Sequence, residues 1–214
     1  MKQYKTYLFD ADGTLFDTAD LVVHCFQYVA MKHCSLDLSR ELILSGYGLP
    51  LRGQLMERLG QDADIDLILD DFISYQVGIL DENVSLFPGV SETLAALKDQ
   101  GSKLAIVTSR KRYTTGRILE LTGTKHFFDT VVNPEDTTRH KPEAEPALLA
   151  LSRLGAGSGD SLFVGDSQFD ISCGQNAGME TAFVSWSHQD PQNLPVQPTW
   201  KIDRMQDLLN EAIV

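Results

Sequence analysis

Positive charge is what this chain lacks most. Its 214 residues carry 30 Asp and Glu against 18 Lys and Arg, a formal net charge of -12. The isoelectric point is near 4.7. Such a surface repels phosphate backbones and anionic lipid, which argues against a broad nucleic-acid interface or adhesion to anionic membranes. Anionic small molecules stay open as substrates, because a metal and a few basic residues reverse the sign locally. Long apolar runs are missing as well; none is long enough to span a bilayer. Cysteine is scarce. Cys25, Cys34 and Cys173 form no Cys-x-x-Cys pair and no metal-ligand spacing. They read as small apolar packing residues, and an odd count without a disulfide framework suits a reducing cytoplasm. No signal peptide is expected, since Met1-Lys2-Gln3-Tyr4-Lys5 runs straight into the first apolar run. Internal repeats and low-complexity segments are also absent.

What is present is a core's worth of apolar residues, 43% of the chain, enough for one sizeable core and a small second domain. Short apolar runs at Tyr7-Leu8-Phe9, Lys103 to Thr108, Phe127 to Val132, Ser161 to Val164 and Thr181 to Val184 read as strands. Helical spacing lies between them. Val90, Leu94 and Leu97 share a face ahead of Gly101, and Ile118, Leu119 and Leu121 lie ahead of Gly123. Pro146 opens a helix at its first position, with Leu148, Leu151 and Leu154 continuing it up to Gly155. Strands alternating with helices predict an α/β fold with a doubly wound parallel sheet.

Residues 16–83 break that rhythm. Leu21, Val22, Phe26 and Val29, then Leu42 to Leu44, Leu55, Met56 and Leu59, then Leu67, Ile68, Phe72 and Ile73 predict several helices and no strand. Phe87-Pro88-Gly89 turns the chain back. The predicted organisation is an α/β core of residues 1–15 and 84–214 with an inserted helical cap of residues 16–83. Leu15-Phe16-Asp17 and Val84-Ser85-Leu86 are the expected hinges of a cap that closes over the site and expels water. Ser187 to Thr199 reads as a surface loop and Ile202 to Ile213 as a closing helix.

The most informative stretch is Asp10-Ala11-Asp12-Gly13-Thr14-Leu15. In extended chain alternate side chains share a face, so Asp10 and Asp12 point the same way as the backbone leaves the strand. Two carboxylates that close repel unless a cation or a shared proton lies between them. A divalent metal site beside a nucleophile and an acid/base accounts for the pair. Taken alone, such a pair is as well explained by a turn or a helix cap. Three further polar clusters follow strands, however: Thr108-Ser109-Arg110, His140-Lys141-Pro142, and Gly165-Asp166-Ser167 with Asp170. Ligands of open α/β sheets bind beyond the carboxyl ends of the strands, where these clusters fall.

In this order and spacing the clusters resemble the haloacid dehalogenase-like hydrolase superfamily, in its phosphatase branch with a helical cap near the N-terminus. The resemblance covers essentially the whole chain. It implies that Asp10 is a nucleophile that forms an aspartyl-phosphate. It implies that Asp12 protonates the leaving oxygen and then deprotonates the attacking water. A metal would be held by the Asp10 side chain, the Asp12 backbone carbonyl and Asp166, with Asp170 acting in support or through water. Thr108 would hydrogen-bond a phosphoryl oxygen, as would backbone N–H groups near Ala11 and Ser109. Lys141 would orient Asp10 and screen charge. The chemistry needs those cations. A carboxylate attacking a phosphate ester meets repulsion of about 1 kcal/mol per charge pair at about 4 Å in water, and about 4 kcal/mol at an effective dielectric of about 20. A hard cation with oxygen ligands fits, which makes Mg²⁺ the expected cofactor.

For substrate, the resemblance implies a small phosphorylated metabolite, handled by a monomer or a homodimer. Gly48-Leu49-Pro50-Leu51-Arg52 resembles the substrate loop of phosphoglycolate phosphatases, so phosphoglycolate stands first and Arg52 is a candidate for a substrate carboxylate. Arg52 as a plain surface arginine stays open. Asp17-Thr18-Ala19-Asp20 departs from the usual phosphoglycolate phosphatase pattern and matches superfamily pyrophosphatases better, so pyrophosphate is the alternative. Sugar phosphate mutases of the superfamily carry a histidine where this chain has Val22, His24 being two residues further on. A dehalogenase would not be expected to keep the second Asp, and a non-catalytic binding protein would have lost a residue that is still here. Arg110-Lys111-Arg112 reads as a solvated basic face, with help in drawing in an anionic substrate as the alternative and Arg110 outside the catalytic set.

Overall fold

The computed structural model describes residues 2–60, 63–189, 192 and 194–209. It divides into two compact units, one of residues 1–16 with 86–214 and one of residues 17–85.

The first unit is built on six strands: β1 (Thr6–Phe9), β4 (Lys103–Val107), β5 (Thr130–Val132), β6 (Ser161–Gly165), β7 (Glu180–Val184) and β8 (Trp200–Ile202). Their order in the sheet is β5-β4-β1-β6-β7-β8, and every neighbouring pair is parallel. The four residues of β1 are all buried, as a sheet covered on both faces requires. Register sets Leu8 level with Ala105 on one side and Phe163 on the other. Those three join Val107, Val132, Ala147, Ala150 and Leu151 in one apolar cluster. On the strand itself Tyr7 and Phe9 stack at 6.2 Å. After β1 the chain adds β4 and β5 on one side, then returns to build β6, β7 and β8 on the other. The reversal lies between β1 and β6, where a crevice opens beyond the strand ends.

Helices α5 (Val90–Asp99), α6 (Arg112–Leu121), α7 (Glu145–Leu154) and α8 (Gln168–Asn176) join these strands. On α5 the predicted stripe Val90, Leu94, Leu97 is fully buried. On α7 the stripe is rotated from the one predicted. Ala147, Ala150, Leu151 and Leu154 face the sheet, while Leu148 is 50% exposed. Two alanines let this helix lie close to β4 and β5, and the bulkier Leu148 stays outside. Pro146 occupies the second helical position, and Gly155 ends the helix in the left-handed conformation at φ 58°.

Three expectations are corrected in this unit. Lys125–Phe127 is a 3-10 turn, so β5 starts only at Thr130. Trp200–Ile202 forms the edge strand β8, which takes in the first residue of the closing helix expected from Ile202, and Met205–Leu208 is a 3-10 turn; residues 210–213 of that helix lie outside the described residues. Strand formation there follows from pairing with β7, and Trp200 Nε1 donates to the Tyr4 hydroxyl at 2.7 Å. The predicted loop also holds Leu194, which packs with Ile171 and Phe183.

The second unit contains α1 (Ala19–Cys34), α2 (Arg40–Leu44), α3 (Leu51–Leu59) and α4 (Ile65–Ile79). Helices α1 and α4 pack through an edge-to-face Phe26–Phe72 pair at 5.3 Å and a stacked Tyr28–Tyr75 pair at 4.0 Å. Ser39 and Asp64 cap α2 and α4. The chain crosses between the units in two two-residue strands, β2 (Phe16–Asp17) and β3 (Ser85–Leu86), which pair with each other.

Helix α8 lies close on β6 and β7 because residue 174 is glycine. A Cβ there would sit 2.6 Å from Thr181 Cγ2 and 2.8 Å from Phe163 Cβ. Gly174→Ala is expected to lose about 1–3 kcal/mol in urea unfolding, the cost of overpacking. An unchanged midpoint would mean that the helix has room to move.

Candidate active site

Asp10 follows β1 directly, and its N–H donates to Val164 O at 2.9 Å, so it still rides the sheet edge. Gly13 then turns the chain at φ 80°, and Leu15 N and Phe16 N both return to Ala11 O at 2.9 Å. This tight loop leaves Asp12 on the rim, a quarter exposed, while Asp10 is buried.

The β6 cluster reaches the same place. Ser167 caps α8, and the Asp170 carboxylate reaches back to Ser167 N at 3.1 Å and Ser167 Oγ at 2.6 Å. The cap is therefore real, and it also fixes Asp170. Gly165 makes the approach possible: a Cβ there would lie 2.2 Å from the Asp170 Cβ. Thr14 Oγ1 donates to Asp166 Oδ1 at 3.3 Å, and Ser187 Oγ donates to the Asp166 carbonyl at 2.5 Å.

Lys141 arrives on the loop before α7. Glu145 braces that loop by accepting from Thr138 N at 2.9 Å and Arg139 N at 3.0 Å, and Asn176 Nδ2 donates to Pro142 O. The ammonium, 7% exposed, contacts Asp10 Oδ1 at 2.5 Å and Asp170 Oδ1 at 2.7 Å. One carboxylate oxygen from each of Asp10, Asp166 and Asp170 falls within a 4.8 Å cluster. Burial pushes Asp10 up to about 7; Lys141 pulls the other way and Asp170 adds to the rise. Asp166 is likewise pushed well above the usual carboxylate range, by burial first and by Asp170 and Asp10 next. Burial works against the Lys141 charge, yet attraction to Asp10 and Asp170 wins and holds its proton above the usual lysine range.

Thr108, immediately after β4, is buried, and its Oγ1 accepts from Arg110 N at 3.1 Å. The hydroxyl keeps its own hydrogen to donate. Ser109 is exposed in the same turn. Arg52 lies in the second unit, where Nη1 donates to Asp66 at 2.7 Å in an exposed ion pair. The Asp12 carboxylate is not in the acidic cluster. Arg110 grips it, with Nε at 2.9 Å from Oδ2 and Nη2 at 2.6 Å from Oδ1. Sequence reasoning had set Arg110 aside as solvated; its side chain is 7% exposed. Nothing in the local pattern distinguishes it from Lys111 and Arg112, and only the meeting of two distant loops does.

The arrangement can therefore present a buried carboxylate to an electrophile, hold oxyanions with Thr108 and Lys141, and bind a hard cation between Asp10 and Asp166. Residues 7–184 match the family model of haloacid dehalogenase-like hydrolases. The chain belongs to that family. It is an enzyme of the family's phosphatase branch. Among curated relatives, the pyrophosphatase PpaX of Bacillus velezensis is 37% identical over 211 residues, covering 98% of this chain and 96% of that protein. A haloacid dehalogenase-like hydrolase from Bacteroides fragilis superposes with a TM-score of 0.88 at 29% identity, covering 97% of this chain and all of the other. A predicted phosphoglycolate phosphatase from Haemophilus somnus superposes at 0.87 with 26% identity, covering 98% of each chain.

Lys141→Met should cost about 3–5 kcal/mol at pH 8 in chelator, because it strands buried carboxylates. The cost should shrink at pH 5. A carboxylate whose folded pKa is raised takes up a proton below it; Asp10 is at about 7 with Lys141 present and higher still without it, so in the variant the repulsion is lost well before pH 5. Equal losses in urea unfolding at both pH values would contradict the electrostatic reading of the cluster.

Proposed function

We propose that this enzyme is a Mg²⁺-dependent inorganic pyrophosphatase that works through an aspartyl-phosphate on Asp10. The observation that carries the reading is the Asp10–Lys141–Asp166–Asp170 cluster in a chain that aligns nearly end to end with a protein named a pyrophosphatase. This reverses the order of substrates expected from the sequence, where phosphoglycolate stood first. That order rested on the Gly48-Leu49-Pro50-Leu51 cap loop and the Phe87-Pro88-Gly89 re-entry; Arg52, its candidate for a substrate carboxylate, is paired with Asp66 in an exposed ion pair.

The residues fit a hard cation. The donors are all oxygen, and Asp166 Oδ2 is buried with no hydrogen-bond partner among the described residues. Asp10 and Asp166 would hold Mg²⁺ with the Asp12 carbonyl. Asp170 would act through Lys141 and Ser167, since both its oxygens are engaged there. The ion supplies charge that lets two anions approach.

In the first step an Asp10 oxygen attacks one phosphorus. The bond to the bridging oxygen breaks, its electron pair leaves with the second phosphate, and Asp12 delivers the proton. In the second step water attacks the same phosphorus. Asp12 takes the water's proton, and the bond to Asp10 breaks to restore the carboxylate. Lys141 keeps Asp10 aimed, favours its ionised form for the attack and stabilises the carboxylate released at the end, and the Thr108 hydroxyl donates to the transferred group. Cys173 takes no part, because burial pushes its thiol up to about 12. The odd cysteine count and the lack of any described helix long and apolar enough to cross a membrane support action in the cytoplasm. A phosphoglycolate esterase is the second reading, favoured by the likeness to the Haemophilus somnus protein.

A panel of pyrophosphate, phosphoglycolate, sugar phosphates and nucleotides, assayed for phosphate release, tests the reading. Pyrophosphate is expected to give the highest kcat/KM. Chelation should abolish release, and Asp10→Asn should lower it by about 10³-fold or more, as loss of a nucleophile does elsewhere. Preference for phosphoglycolate would select the second reading, and an undiminished Asp10→Asn would remove Asp10 from the mechanism.

A further inference from the structure

Arg110 takes no part in the mechanism just described, yet it is built into the site more firmly than a surface arginine. Its N–H donates to Thr108 Oγ1 at 3.1 Å. Its carbonyl accepts from Asn133 Nδ2 at 2.9 Å and from Thr115 Oγ1 at 3.3 Å. Asn133 is itself fixed, its N–H donating to Asp136 Oδ2 at 2.9 Å. The guanidinium is thus delivered, nearly buried, to the carboxylate of Asp12.

The position has a chemical consequence. An acid/base must touch the oxygen that leaves. Whatever holds the Asp12 carboxylate then stands beside the leaving group. A guanidinium fork fits two phosphate oxygens as well as two carboxylate oxygens, and its charge does not titrate away. Lys141 contacts Asp10 and Asp170, on the side of the phosphorus under attack, whereas the Arg110 guanidinium sits on the acid/base. A leaving group that is itself a phosphate brings a charge to that side, whereas an uncharged alcohol does not.

We propose that Arg110 is the specificity-determining residue for the departing phosphate. In the substrate-free enzyme it holds Asp12 by its fork. When a diphosphate binds, the fork passes to the oxygens of the leaving phosphoryl group, and Asp12 is set against the bridging oxygen. The inference rests on the pyrophosphatase reading and deepens it: the substrates favoured are those with an anionic phosphoryl leaving group.

The test compares kcat and KM for pyrophosphate and for p-nitrophenyl phosphate, whose leaving group carries no phosphate, in the full-length enzyme with Mg²⁺. Arg110→Gln should lower the pyrophosphate to p-nitrophenyl phosphate ratio of kcat/KM by about 30-fold, the scale of lost hydrogen bonds to a charged group, with a rise in KM confined to pyrophosphate. Arg110→Lys keeps the charge without the fork and should recover part of that ratio; it also carries the test if Arg110→Gln does not fold. A residue that only seats Asp12 would depress both substrates alike, so an unchanged ratio in an active variant overturns the inference alone. A wild type that cleaves p-nitrophenyl phosphate but not pyrophosphate overturns the pyrophosphatase reading and the inference with it.

Discussion

Asp10, Asp166 and Asp170 bring three carboxylates into a nearly dry place, and Lys141 brings one ammonium to meet them. Opposite charges at such short range attract strongly, but the balance is uneven, and burial makes the excess costly. Burial first, and the neighbouring carboxylates after it, push Asp10 and Asp166 up. A cation held among these oxygens would relieve the excess, which is what the proposed function asks of the site. The same imbalance that burdens folding of the bare protein readies it for chemistry.

Much of the first unit can be understood as the scaffold of that cluster. Parallel strands end together, so Asp10 after β1, Thr108 after β4 and Asp166 after β6 share one edge although they are far apart in sequence. The reversal of strand order opens the crevice at β1 and β6. Glycines are used where bulk would close it: Gly165 lets Asp170 in, and Gly174 lets α8 down onto the sheet. The Ser167–Asp170 capping box then makes one carboxylate both a helix stop and a partner of Lys141.

How much of this could be read from the sequence differs by element. Central strands announce themselves, because burial on both faces demands an unbroken apolar run such as Tyr7-Leu8-Phe9, and the polar residue that follows marks the sheet edge. That logic placed Asp10 and Asp166 at the sheet edge; that Lys141 and Asp170 join them was implied by the family resemblance. The edge strand β8 did not announce itself. It has three residues, one of them Lys201, and owes its form to β7 rather than to its own pattern. Leu148 misled because spacing by threes and fours fits two adjacent faces of α7, and only the small size of Ala147 and Ala150 settles which one lies on the sheet. Arg110 was invisible for a different reason. Its fork on Asp12 joins loops 98 residues apart, and charge alone does not say which arginine of a basic run turns inward.

The most direct test of the central claim is a calorimetric titration of the metal-free enzyme with Mg²⁺ at pH 8, beside Asp166→Asn. The account predicts saturable binding at one site in the wild type, and its loss in a variant that still folds. A wild type that takes up no Mg²⁺, or an Asp166→Asn protein that binds it equally well, would contradict the view that these buried carboxylates are assembled around a cation.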